Sequence, residues 1–172
     1  MQKPITTERL TLRRLAAEDW QQFNMYAGSD RSIPSGGPYS EGKAWRTFAM
    51  WIGHWEIRGY GLLACDLRVR PNKVIGIAGP FFPPDAPEPE IGWQIWDPEF
   101  EGKGYAYEAA EAARRWACES LGLQRPVSYI KEGNERSIRL AKKLGCVRDE
   151  RARRRPDGLP VWRHPPLDGI LS

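Results

Sequence analysis

The sequence predicts a mixed α/β (α+β) fold on a mostly antiparallel sheet flanked by about four helices, and three observations carry that expectation. Segments with apolar residues at every second position are interleaved with segments that repeat every three or four residues. Three strand-like runs follow one another across short connections, as antiparallel neighbours do. The order strand, two helices, three strands, helix, strand, helix, strands differs from the βαβαβ series of a dinucleotide-binding domain. At 172 residues the chain has the length of one domain, so residues 1–172 are expected to form a single unit.

Residues 8–14 alternate Leu10 and Leu12 with polar neighbours and predict a first strand. Residues 18–27 predict a helix, and 28–38 a loop rich in Gly, Ser and Pro. Ser40 is placed to cap a second helix, along which Ala44, Phe48, Trp51, Ile52 and Trp55 recur at helical spacing before Gly59-Tyr-Gly61 ends it. Residues 62–69 and 74–82 predict strands joined by a hairpin turn at 70–73. Four prolines within 83–89 enforce a loop. Residues 90–96 alternate Ile91, Trp93 and Ile95 with Glu90, Gly92 and Gln94 and predict a further strand. A long helix follows, with Ala106, Ala109, Ala110, Ala113, Trp116 and Ala117 in a stripe narrow enough to lie close on a sheet, and Gly122 caps its end. A short strand over 126–131, a helix over 134–144 and last strands at 146–155 and 159–162 complete the series, with an irregular tail from His164.

Between the strand at 90–96 and the long helix lies Glu99-Phe-Glu-Gly-Lys-Gly-Tyr-Ala-Tyr-Glu-Ala-Ala110. A helix starting near Gly104 exposes N–H groups without intrahelical partners at the positive end of its dipole, and the glycines admit close approach, so the turn predicts an anion site. It is no P-loop, since Lys103 is followed by Gly104 and Tyr105, and no G-x-G-x-x-G with a distant acid is present.

A net charge of +4 favours anionic partners without choosing among them. The basic run Arg148–Arg155 alternates with acids before the turn Pro156-Asp-Gly158, which suits a solvated strand face or a contact to phosphates or an acidic substrate. A nucleic-acid-binding module is disfavoured, because aromatic and basic residues do not interleave and no recognition helix stands out. Three cysteines without metal-ligand spacing, Cys65, Cys118 and Cys146, support neither a disulfide framework nor a zinc site. His54 and His164 belong to no triad, and the absence of a Gly-x-Ser-x-Gly elbow disfavours a serine hydrolase. No apolar run approaches the ~20 residues a membrane helix needs, and the N-terminus lacks a signal-peptide core, so a cytoplasmic location with no membrane partner is expected.

Six features in order give the chain a resemblance to the GNAT family of acyl-CoA-dependent N-acetyltransferases, and within it to the RimJ/RimL-type branch. They are Thr7-Glu-Arg-Leu-Thr-Leu-Arg13, Gly59-Tyr-Gly61, Val74-Ile-Gly76, Glu90-Ile-Gly-Trp93, Gly102-Lys-Gly-Tyr-Ala106 with Glu108-Ala109, and Asn134-Glu-Arg-Ser137 with Leu144-Gly145. The resemblance covers nearly the whole chain. It implies a sheet whose fourth and fifth strands splay apart, with the pantetheine arm of coenzyme A in the gap, pairing with backbone near Ile95 and Trp96. It places the pyrophosphate on Gly102, Lys103, Gly104, Tyr105 and Ala106, and Asn134 on the cofactor arm; Lys103 is equally at home as a solvated lysine.

The implied reaction is acetyl transfer from acetyl-CoA to a primary amine, a protein N-terminus or a small molecule, by direct attack on the thioester and without a metal. Glu90 matches the family's general base, although a strand-end carboxylate can also be solvated or bind the amine electrostatically. Glu99 is the second candidate base. Ser137 matches a thiolate donor and equally a first-turn backbone bonder. Two positions depart from the family: Ala141 stands where many members carry a proton-donating tyrosine, and Glu101 puts a carboxylate beside the pyrophosphate unless it faces solvent or pairs with a base. These departures leave a non-catalytic acyl-CoA-binding domain as the alternative. Family members often dimerise, so a homodimer is an implied partner. Trp45, Trp51 and Trp55 fall where the family builds its acceptor site, with most of the eight tryptophans expected in the core.

Overall fold

The computed structural model describes residues 3–167. One sheet of eight strands organises them, in the order β1-β2-β3-β4-β5-β6-β8-β7. The strands are β1 (Ile5–Thr6), β2 (Leu10–Arg14), β3 (Leu63–Leu67), β4 (Arg70–Phe81), β5 (Glu90–Ile95), β6 (Val127–Tyr129), β7 (Val147–Arg148) and β8 (Val161–Arg163). The helices are α1 (Trp20–Ala27), α2 (Glu41–Arg58), α3 (Tyr105–Leu121) and α4 (Glu135–Lys143). Every strand pair is antiparallel except β5–β6, which is parallel and joined across α3.

Alternation along β2–β4 divides the core between the two sheet faces. Ala64, Val74 and Ile77 pack with Phe23, Phe48 and Trp51 of α1 and α2. Leu10, Leu12, Leu63, Cys65 and Ile75 pack with Ala109, Ala113 and Trp116 of α3. The alanine stripe does what its spacing predicts: Ala109, Ala110, Ala113 and Ala117 are all buried, so α3 lies close on the sheet. Ser40 caps α2 by accepting from the Lys43 N–H, and Gly122 ends α3 in the left-handed conformation.

Two connections differ from the sequence expectation. The β3–β4 turn falls at Arg68 and Val69, with Leu67 already paired to Arg70, two residues ahead of the expected 70–73. The register jumps from Asp66↔Val74 to Leu67↔Arg70, so Pro71 occupies an unpaired stretch where its missing N–H costs no ladder bond. The expected strand at 146–155 stops at Arg148, because the Asp149 carboxylate accepts from the N–H groups of Arg151 and Ala152 and turns the chain. The described tail from His164 to Leu167 is irregular. No helix among the described residues is long and apolar enough to cross a membrane.

Candidate active site

β5 and β6 meet at one end only. Their single Cα pairing is Glu90↔Val127, where the Val127 N–H donates to the Pro89 carbonyl and the Ser128 hydroxyl to that of Ile91. Beyond this point the strands diverge into a wedge. The Trp96 N–H points the other way, to the Ile75 carbonyl at 2.7 Å, and since alternate residues face opposite sides of a strand, the main chains of Ile91, Trp93 and Ile95 face the wedge. The wedge forms part of a cleft of about 500 Å³ whose lining includes Glu90, Trp93, Tyr129, Asn134, Ser137 and Arg155.

Next to the wedge, α3 begins at Tyr105 with Gly104 as its N-cap in the left-handed region (φ 83°) and no side chain capping it. Ser40 and Asn134 cap α2 and α4, and α1, though without a side-chain cap, continues from a 3-10 turn in which the Trp20 N–H donates to the Ala17 carbonyl, whereas α3 starts directly from the glycine turn. Gly102 is also left-handed (φ 71°), and a Cβ there would meet nothing within 4 Å. The glycine turn and the bare helix start thus fit an anionic group approaching the main chain.

Glu90 sits where the strands part. Burial pushes its carboxyl up to about 7, with Asp157 and Asp85 adding to the shift and the Arg155 guanidinium opposing it. Arg155 Nη1 lies 3.4 Å from Glu90 Oε1, and its Nη2 3.4 Å from Asp157. Its guanidinium also stacks on the Tyr129 ring at 5.3 Å. A half-protonated carboxylate at neutral pH can both accept and hold a proton, as a general base requires.

The structure brings Glu90, Asn134 and Ser137 to one cleft. The Asn134 side chain accepts from the Ser137 N–H at 3.2 Å and caps α4. Asn134→Ala is therefore expected to cost about 1 kcal/mol of stability, read as a lower melting temperature. Ile95 presents its carbonyl to the wedge, where Arg31 Nη2 donates to it at 3.0 Å, while Trp96 is buried and gives its carbonyl to Arg31 Nη1. Gly102, Lys103 and Gly104 are exposed, and Tyr105 and Ala106 half-buried, at the head of α3. Glu99 is exposed on a 3-10 turn outside the cleft lining, its N–H bonded to Asp97.

Glu101 pairs with bases. Partial burial would raise its carboxyl, but Arg31 and Arg136 outweigh that and hold it below the usual range. The Arg31–Glu101–Arg136 bridge links the loop before α2, the glycine turn and α4. Ala141 is fully buried beside Ala110, Leu144 and Trp162, so no donor stands at that position. His54 joins the Tyr60 carbonyl to the Phe82 N–H, and His164 bonds the Ser128 hydroxyl; neither lines the cleft.

Arg31, Tyr129 and Arg155 were not identified as site residues by sequence. Arg155 lay in the basic run expected as a solvated face or an acidic-substrate contact, and only its proximity to the Pro156-Asp-Gly158 turn hinted that it could fold back. Arg31 and Tyr129 carried no local signal, since their partners are about 65 and 26 residues away in sequence.

The molecule is thus an α/β protein whose mostly antiparallel sheet splits beside an uncapped, glycine-led helix, with the Glu90 carboxylate where the strands part. The chain belongs to the acetyltransferase (GNAT) domain family, whose model matches residues 9–147. Its fold superposes on the acetyltransferase from Agrobacterium tumefaciens str. C58 with a TM-score of 0.89 and 37% identity, covering 95% of each chain. Ribosomal-protein-S5-alanine acetyltransferase from Vibrio fischeri shares the fold at a TM-score of 0.71 and 17% identity, over 97% of this chain and 98% of that one. An uncharacterised N-acetyltransferase of Bacillus subtilis (strain 168), YnaD, is 37% identical over 60 residues, a stretch that spans 35% of this chain and 35% of that relative.

Proposed function

We propose that this protein is an acetyl-CoA-dependent N-acetyltransferase for a primary amine, with Glu90 as general base. The observation that carries the reading is the largely buried Glu90 carboxyl, pushed up to about 7 and set in the same cleft as the open wedge and beside the uncapped head of α3. When bound, acetyl-CoA supplies a thioester carbonyl that an amine attacks directly. The wedge-facing main chain of Trp93 and the N–H of Ile95, whose carbonyl Arg31 holds, offer an extended edge for the pantetheine arm, as an added strand uses a sheet edge. The N–H groups from Gly102 to Ala106 take the pyrophosphate, with the Lys103 charge nearby. Trp96, whose N–H, carbonyl and indole N–H are taken by Ile75, Arg31 and Gln94, acts by fixing the end of β5.

Glu90 removes the proton that the ammonium must lose before it can attack, and Arg155 and Asp157 set the field in which it does so. Ser137, in the first turn of α4 on the cleft wall, is the hydroxyl assigned to protonate the departing sulfur. Glu99, exposed outside the lining, is the weaker candidate for the base. The pairing of Glu101 with two arginines removes the electrostatic objection to a phosphate at this turn. The acceptor is a protein N-terminus or a small amine; the fold shared with the ribosomal-protein acetyltransferase supports the RimJ/RimL-type reading, and a cytoplasmic homodimer is the setting proposed for it.

Thiol release from acetyl-CoA over a panel of amines tests this. Wild type should release coenzyme A with at least one amine, Glu90→Gln should not at a comparable rate, and Ser137→Ala should be slowed about 10²-fold at most, because water can replace a hydroxyl donor. Coenzyme A binding with no turnover for any amine would make the protein a binder, and failure to bind coenzyme A would remove both readings.

A further inference from the structure

The Thr7-Glu-Arg9 corner lies about a hundred residues from the glycine turn in sequence, yet the two are in contact. Both oxygens of Glu108, in the first turn of α3, are taken by this corner. Oε1 accepts from the Thr7 hydroxyl at 2.5 Å and the Arg9 N–H at 2.8 Å, and Oε2 from Arg9 Nε at 2.6 Å. The rest of the Arg9 guanidinium continues along the turn. Nη1 donates to the Lys103 carbonyl at 3.0 Å, the group lies over the Tyr105 ring at 4.2 Å, and a Cβ on Gly104 would meet Nη2 at 3.4 Å.

From this geometry we infer that Arg9 is a positioning residue for cofactor binding, acting through Lys103 and Glu108; the inference rests on the acetyl-CoA reading above. Two effects follow from the contacts. In a trans peptide the carbonyl and the following N–H point in opposite directions, so holding the Lys103 carbonyl toward Arg9 turns the Gly104 N–H away from it, onto the open side of the turn. Without that hold, two exposed left-handed glycines leave the peptide free to rotate. Glu108 supplies the second effect, because an unpaired carboxylate in the first turn of α3 would repel a phosphate at the same helix start. Burial would raise the Glu108 carboxyl, but Thr7 and Arg9 hold it below the usual range, so it stays ionised and its charge is balanced locally.

The test compares calorimetric Kd values for coenzyme A and for pantetheine, which lacks the phosphates, in wild type, Arg9→Ala and Arg9→Lys, with melting curves for each. Arg9→Ala should weaken coenzyme A by about tenfold or more while leaving pantetheine within about twofold. Arg9→Lys, which keeps a charge but not the forked contacts, should fall between. At saturating acetyl-CoA the kcat of Arg9→Ala should match wild type, so that the loss sits in KM. Equal coenzyme A affinity in folded wild type and Arg9→Ala overturns the inference, and equal losses for both ligands reduce Arg9 to a general structural role. If Arg9→Ala does not fold, Arg9→Lys decides alone by the same two-ligand comparison. Failure of wild type to bind coenzyme A strikes instead at the reading on which the inference rests.

Discussion

Replacing Glu90 by Gln is expected to lower kcat by about 10²–10⁴-fold while coenzyme A affinity stays within about twofold, because the amide keeps the shape of the site and loses only the proton acceptor. In wild type, kcat/KM should rise with pH along a limb centred near the Glu90 value of about 7, and the Gln variant should lack that limb. Stability should move the other way. A carboxyl whose folded pKa stands at about 7 against an ordinary 4.5 contributes stability that is complete below about pH 4.5 and lost as pH rises through 7. Above pH 7 the wild type carries a largely buried charge that Gln does not, worth up to about 3 kcal/mol. Glu90→Gln should therefore melt several degrees higher than wild type at pH 8 and alike at pH 4. An unchanged pH profile would assign the base elsewhere, with Glu99 next to be replaced.

Gly76→Ala is expected to be among the most destabilising single-methyl additions in the chain. A Cβ at Gly76 would stand 2.0 Å from the Gln94 carbonyl oxygen and 3.0 Å from the Ile95 Cα, all main-chain atoms that cannot rotate aside. β4 and β5 would have to separate where Gly76 pairs with Ile95, the end of β5 that borders the wedge. Loss of about 3 kcal/mol or more follows, a fall of roughly 10 °C in melting temperature for a chain of this size. The same substitution at Gly53, inside α2 with nothing within 4 Å of the added carbon, should instead stabilise by about 0.5–1 kcal/mol. Thermal melts of the two variants side by side check both signs.

These two positions also show how legible the molecule was in its sequence. Local patterns carried the elements: the Ile91, Trp93, Ile95 alternation gave β5, the alanine stripe gave α3, and Ser40 and Gly122 marked helix ends where the structure has them. The glycine turn ahead of an uncapped helix was readable because its cause is local. What escaped were features made by partners distant in the chain. Glu101 read as an unfavourable charge because neither Arg31 nor Arg136 announces its contact with it. Pro71 and its neighbours read as a turn because the register shift in β3 that accommodates them leaves no mark in composition. The run at 148–155 read as a strand because the turn-forming capacity of Asp149 is visible only once its carboxylate is seen bonding forward. The Glu90 carboxyl could be named as a candidate from its place in β5, but its shifted titration depends on burial beneath Arg155 and near Asp157, which only the folded chain brings together.

The central claim is that coenzyme A lies in the wedge with its pyrophosphate on the head of α3. Amide hydrogen exchange with and without saturating coenzyme A tests it most directly. The account predicts slowed exchange at Trp93 and Ile95 and from Gly102 to Ala106, with β1, β7 and the solvent face of α2 unchanged. Saturable binding that leaves those amides unprotected, or protects another region, would contradict it.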